Sequence, residues 1–313
     1  MRLGFLAFAV SWLGCSSTTV IAPAAPLQDA GTSTDAAVDA PYEPSPLLTD
    51  RPYTVRAPKA YDAAKPTSLV LAFHGYGTGD DGALLERYFQ LAPVAEKSVF
   101  LYVTPEGTFD KDHQRFWNGT DACCDFYKSG VDDVAYVRAL LDDVAQKYNV
   151  DPKRVFVTGL SAGGVFAHRL ACELADRIAA VVSVSGTTFN DATRCKPAAG
   201  LSMVEVHGDQ DDTVVYDGGT STFALVSADY PSARDTVAHW ATYNGCTGAL
   251  AATGQTLDLD SRIAGAETRI EKYAGCTRGD VELWTIQGGP HAPHLSSAWG
   301  QTVWDYFVAH PKP

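Results

Sequence analysis

Short apolar, β-branched runs recur along the chain at Ser68 to Phe73, Val99 to Val103, Arg154 to Thr158, Ala180 to Val184, Ser202 to Val206 and Val281 to Ile286. Runs this short and this continuous, each followed closely by Gly, Pro or Asp, predict strands buried on both faces of a parallel sheet. The intervening stretches carry another period. Between Val131 and Tyr148, the residues Val134, Val137, Leu141, Val144 and Tyr148 return at three- and four-residue spacing, which predicts a helix with one buried face. Strands interleaved with helices imply a doubly wound, mostly parallel α/β sheet forming a single domain, with its ligand site beyond the carboxyl ends of the strands.

The pattern is absent at the amino end. Met1 to Cys15 has one Arg, an apolar run from Leu3 to Val10 and then Leu13-Gly14-Cys15. That is too short to span a bilayer and predicts an export signal over 1–14, with Cys15 as the lipidated first residue of a bacterial lipoprotein. An ordinary cleaved signal peptide is the other reading, and Trp12 stands where lipoprotein signals usually carry Leu. Residues 15–48 are rich in Ala, Pro, Ser, Thr and Asp, with four carboxylates and no basic side chain. So little apolar surface cannot offset the entropy of ordering, so a flexible tether is expected there, leaving 49–313 as the folded domain. The expected location is secreted or cell-surface, with membrane contact only through Cys15.

Charge and cysteine content narrow the function classes. A formal net charge of -13 removes the basic footprint that nucleic acid requires. Seven cysteines less Cys15 leave six, an even number in a chain expected to be exported, and so predict disulfides. Asp209 to Asp212 lacks the Gly and terminal Glu of a calcium loop, and no His, Cys or Glu spacing suits zinc, so neither metal nor cofactor is expected.

Chemistry concentrates where the strand runs end. Arg154 to Gly164 reads as strand, tight turn and helix, with Gly159-Leu160-Ser161-Ala162-Gly163 at the turn. This G-x-S-x-G arrangement lifts a serine hydroxyl above the sheet while small neighbours let strand and helix approach, which marks Ser161 as a nucleophile. A serine needs a base, and the base needs a group that fixes its tautomer. The acid is expected after Ser202 to Val206, where Asp209, Asp211 and Asp212 compete. The base is expected after Val281 to Ile286, where His291 and His294 compete. Backbone N–H donors for an oxyanion are expected at Ala162 and near Tyr76, in the loop after Phe73.

Taken together, His74-Gly75, Phe116-Trp117-Asn118, Cys123-Cys124, Val131-Asp132-Asp133-Val134, Asn149 to Gly164, Leu170 to Glu173, His207-Gly208 with Asp211, and Gly288 to His291 resemble the feruloyl esterase and polyhydroxybutyrate depolymerase group of extracellular α/β-hydrolases. The resemblance implies Asp211 as the acid, four residues after His207, and His291 as the base. Pro290 and Ala292-Pro293 depart from the group's usual residues beside that His. It also implies disulfides Cys246 with Cys276 and Cys172 with Cys195, leaving Cys123 and Cys124 as a vicinal pair or two free thiols. The expected activity is two-step acyl transfer by a monomeric serine carboxylesterase on a polymer-derived ester. Aromatic acyl esters of plant polysaccharide lead as substrates, with hydroxyalkanoate polyester second. Trp117 and Tyr216, in loops after strand ends, are expected to wall the acyl site. A serine peptidase and a non-catalytic binding lipoprotein are the rivals from other classes.

Overall fold

A computed structural model describes residues 43–77 and 82–312. The expected signal, Cys15 and most of the tether lie outside those residues. The central sheet comprises β1 (Val55–Arg56), β2 (Thr67–Phe73), β3 (Leu101–Val103), β4 (Val150–Leu160), β5 (Ala180–Val184), β6 (Ser202–Gly208), β7 (Leu250–Leu257), β8 (Thr268–Tyr273) and β9 (Val281–Ile286), in the order β1-β3-β2-β4-β5-β6-β9-β8-β7. The strands from β3 through β9 in that order run parallel, and β1, β8 and β7 are antiparallel additions at the two edges.

Alternate residues of each central strand feed two separate cores, as the two-residue period of a strand requires. Leu69, Leu71, Val157 and Met203 pack on one face with α4 (Asp133–Lys147), α5 (Ala162–Glu173) and α6 (Ala233–Tyr243). Val70, Ala72, Phe156 and Val204 pack on the other with α2 (Gly82–Phe89), α3 (Leu91–Ser98) and α7 (Trp299–Ala309). Covering both faces explains why these strands read as unbroken apolar runs. In α4, Val134, Val137, Leu141 and Val144 are buried, and the Asp132 carboxylate caps the helix by accepting from the Ala135 N–H at 2.9 Å.

The folded unit begins earlier than the composition of 15–48 suggests. Pro46–Asp50 forms the short helix α1, with Leu48 buried in the core shared with α4. One side chain accounts for much of this. Arg51 donates to Asp133 at 2.5 Å and to the Glu106 carbonyl at 3.0 Å, and its guanidinium lies 3.9 Å from the centre of the Tyr136 ring. Asp133 is fully buried and also accepts from the Asn118 N–H at 2.7 Å. Burial pushes its carboxyl up, opposed by the adjacent arginine. Arg51→Met should therefore strand a buried carboxylate and cost about 3 kcal/mol, a loss of stability measurable by urea unfolding.

Candidate active site

β4 ends at Leu160 and α5 starts at Ala162, so Ser161 alone makes the turn, at φ 55° and ψ -118°. A non-glycine residue rarely holds a positive φ, and its neighbours show what permits it here. A Cβ on Gly159 would lie 2.2 Å from the Gly163 carbonyl oxygen, and one on Gly163 would lie 2.1 Å from that of Phe73. The strand and helix thus approach too closely for any side chain at either glycine. The Ser161 N–H donates to the Val184 carbonyl at 2.9 Å, tying the turn to β5.

Two further loops bring their side chains to this turn. His291 Nε2 lies 2.8 Å from Ser161 Oγ, and His291 Nδ1 lies 2.8 Å from Asp211 Oδ2. The loops after β6 and β9 are fastened together: the Asp209 N–H donates to the Ile286 carbonyl at 3.1 Å and the Gln210 N–H to that of Gly289 at 3.0 Å. Gly208 makes this possible, since a Cβ there would meet the Gly289 oxygen at 2.1 Å. Asp211 Oδ1 accepts from the N–H groups of Thr213 and Val214 at 2.8 and 2.9 Å. Burial disfavours its charge, yet hydrogen bonds from His207 and His291 outweigh that and hold the carboxyl well below the usual carboxylate range. The competing residues go elsewhere. Asp209 accepts from the Gly288 N–H, Asp212 is exposed, and His294 is exposed with its backbone bonded to Asp260.

The loop after β2 passes beside Ser161: a Cβ on Gly75 would lie 3.5 Å from Ser161 Cβ. His74 shapes this loop. Its Nε2 accepts from the Gly107 N–H at 2.8 Å, so its proton sits on Nδ1 and goes to the Gly75 carbonyl at 2.7 Å. Burial pushes His74 down to about 4, consistent with a neutral ring. The Gly77 N–H is committed to the Arg115 carbonyl. Tyr76 lines the same cavity as Ser161, and Ala162 opens α5, where first-turn N–H groups have no helical acceptor.

That cavity has a volume of about 360 Å³ and a mostly apolar lining. Its aromatic wall consists of Tyr76, Phe126 and Phe223, whose ring centroids lie 4.8 to 6.0 Å apart in edge-to-face contacts. The vicinal disulfide Cys123–Cys124 also borders it, and the other cysteines pair as Cys172 with Cys195 and Cys246 with Cys276. Neither aromatic residue expected at the wall is there. Trp117 is fully buried, stacked on Phe166 at 5.0 Å and edge-on to Phe73, because its loop folds back onto the core. Tyr216 turns away to bond Thr285 Oγ1 at 2.9 Å and packs edge-on against His207. Phe126 and Phe223 have weaker sequence signals: one follows the paired cysteines, and the other is an apolar residue in a Ser- and Thr-rich stretch.

A larger cleft of about 750 Å³ is lined by Arg51, Arg56, Glu86 and Arg115 among others, and includes none of the residues around Ser161. Among the described residues one set of metal-ligating side chains comes together, Asp280, Glu282 and His310. Lys272 Nζ already reaches Asp280 at 2.5 Å and Glu282 at 3.3 Å, supplying the positive charge a cation would bring.

The chain is similar in sequence to esterases and in fold to a solved esterase structure. The chain is 31% identical over 195 residues to feruloyl esterase B of Piromyces equi, covering 61% of this chain but only 33% of that protein's length. It is 28% identical to feruloyl esterase D of Neurospora crassa, over 78% of this chain and 74% of the relative. The solved structure of acetyl xylan esterase from Aspergillus awamori superposes with a TM-score of 0.56 at 15% identity, covering 81% of this chain and 92% of that one, a likeness of fold. Residues 122–292 match the family model described as the alpha/beta hydrolase fold, and the chain belongs to that family.

Proposed function

We propose that the protein is a serine carboxylesterase of the feruloyl esterase type, with Ser161 as nucleophile, His291 as base and Asp211 as acid. The observation that carries the reading is the pair of 2.8 Å contacts linking Ser161, His291 and Asp211 at the edge of an apolar cavity. In the first step His291 Nε2 takes the Ser161 proton as Oγ attacks the ester carbonyl. The oxyanion receives the N–H groups of Tyr76 and Ala162, and the alcohol leaves with the proton from His291. In the second step His291 deprotonates a water that attacks the acyl-enzyme, releasing the acid and restoring Ser161. Asp211 holds the Nδ1–H tautomer and stabilises the imidazolium of both steps.

The aromatic wall supports a hydroxycinnamoyl acyl group, and the names of the relatives point the same way. Each edge or face contact with the acyl ring is worth roughly 0.5 to 1.5 kcal/mol beyond burial, or about two- to tenfold in kcat/KM. The test is hydrolysis of methyl ferulate against methyl butyrate, in the parent and in Phe126→Ala and Phe223→Ala. Ferulate should be preferred in the parent, and each variant should lose about two- to tenfold on ferulate while holding p-nitrophenyl acetate turnover within about twofold. Clearing of a polyhydroxybutyrate film with no cinnamate preference would identify a polyester depolymerase instead, and cleavage of a peptide amide would identify a peptidase. The paired cysteines support an exported protein. Lipid attachment at Cys15 rests on the leader sequence and is tested by metabolic labelling with palmitate.

A further inference from the structure

Behind Asp211 runs a line of buried polar side chains that acyl transfer does not itself use. Glu205 lies on β6, in a strand otherwise read as apolar, and is fully buried. A carboxylate at such a position is costly unless its oxygens are matched, and these are. Oε1 accepts from the Gly186 N–H at 3.0 Å and lies 2.9 Å from His207 Nδ1, and Oε2 lies 2.9 Å from His168 Nε2. His168, fully buried on α5, accepts from the Trp240 indole N–H at Nδ1, at 2.9 Å. Since an indole nitrogen only donates, the His168 proton must sit on Nε2 and point at Glu205.

His207 is the link to the site. Its Nδ1 faces Glu205, and its Nε2 lies 2.7 Å from the Val214 carbonyl and 3.2 Å from Asp211 Oδ2. Two carboxylates and a carbonyl offer only lone pairs, so both ring nitrogens are called on to donate. The shared proton could reside on Glu205, but a carboxylate already receiving Gly186 and His168 keeps its charge and leaves the proton on the imidazole. Correspondingly, burial opposes the charge of His207, but hydrogen bonds to Asp211 and Glu205 push it up to about 10, and Glu205 is held below its ordinary value against its own burial. The groups facing His207 are Glu205 on its own strand, Asp211 on the following loop and the Tyr216 ring edge.

We propose that Glu205 is a positioning residue for ester hydrolysis: it holds His207 as a doubly protonated crossbar that fixes Asp211 Oδ2 against His291 Nδ1. The proposal rests on the assignment of Ser161, His291 and Asp211 made above. Its chemistry is specific to a carboxylate. In Glu205→Gln the amide NH2 must confront either the Gly186 N–H or the His168 Nε2–H, and His168 cannot switch tautomer without confronting Trp240.

Two measurements test it on the full chain. In the parent protein, ¹H–¹⁵N spectra of labelled histidine should show protons on both His207 nitrogens at neutral pH, a reading that needs no variant to fold. In Glu205→Gln, kcat for p-nitrophenyl acetate, expressed per site titrated by a serine-phosphonylating reagent, should fall roughly 10- to 100-fold with KM within about twofold, and the downfield His291 Nδ1–H resonance should be lost. Counting reactive sites separates this from a merely structural role, which would reduce the number of sites and leave turnover per site intact. A singly protonated His207 in the parent, or per-site turnover in Glu205→Gln within twofold of the parent, would overturn the proposal. Activity surviving in Ser161→Ala would instead remove the assignment beneath it.

Discussion

Ser161→Ala is expected to lower kcat for p-nitrophenyl acetate by roughly 10⁵- to 10⁶-fold, the largest effect of any single change in this protein. The substitution deletes the oxygen proposed to attack but keeps the turn: the N–H of residue 161 still reaches Val184, and the glycines at 159 and 163 still let strand and helix approach. Among the described residues the side-chain hydrogen bond removed is that with His291. Thermal unfolding should therefore shift by no more than roughly 2–4 °C, the equivalent of about 1 kcal/mol. Loss of activity with an unchanged melt and no labelling by a phosphonylating reagent is the expected pattern. Full activity with a different serine labelled would sink the assignment.

Asp211→Asn comes second, at about 10⁴-fold in kcat. An amide placed at Asp211 can present its NH2 to His291 Nδ1, and the imidazole would then carry its proton on Nε2, where it cannot accept from Ser161. Asp209→Asn and Asp212→Asn should stay within about threefold, since neither carboxylate faces the histidine. Asp211 also gives stability a pH dependence. Its folded carboxyl is depressed, so its stabilising contribution is complete above the unfolded value near ~3.9 and is lost as pH falls through the folded one. In acid titrations of unfolding, Asp211→Asn should lack that component. If Asp209→Asn were the more damaging variant in kinetics, the acid would be misassigned.

What the chain disclosed in advance follows from burial. Ala180–Val184 and Val281–Ile286 have the bounds that their apolar runs predict, because both sheet faces are covered there. β7 gave no such signal: Leu250–Leu257 is an edge strand, largely exposed, and its Ala, Thr, Gly and Gln need no apolar pattern. Val99 belongs to the end of α3 rather than to β3, closing the helix with a positive φ and a bond to the Ala95 carbonyl. At the site, Ser161, Asp211 and His291 follow fixed strand ends and so are placed by topology, whereas the aromatic wall depends on how two long loops fold. Position in a loop could not distinguish Trp117, which turns inward, from Phe223, which is 48% exposed. Glu205 was open to view as a charge inside an apolar strand, and it is the fold that brings His168 of α5 to it beside His207 of its own strand.

The attachment of the cavity wall has a consequence for how such a protein diversifies. Phe126 and Phe223 are joined by the Leu225 N–H bond to the Phe126 carbonyl, and Phe223 stands at the tip of a small hairpin, Gly219–Ser221 with Ala228–Tyr230, set apart from Asp211 along the same connection. Mutations there can reshape the cavity without disturbing the strand ends that hold the three side chains proposed to react. The wall can thus be changed in small steps, altering which acyl groups fit while the contacts among Ser161, His291 and Asp211 stay as they are.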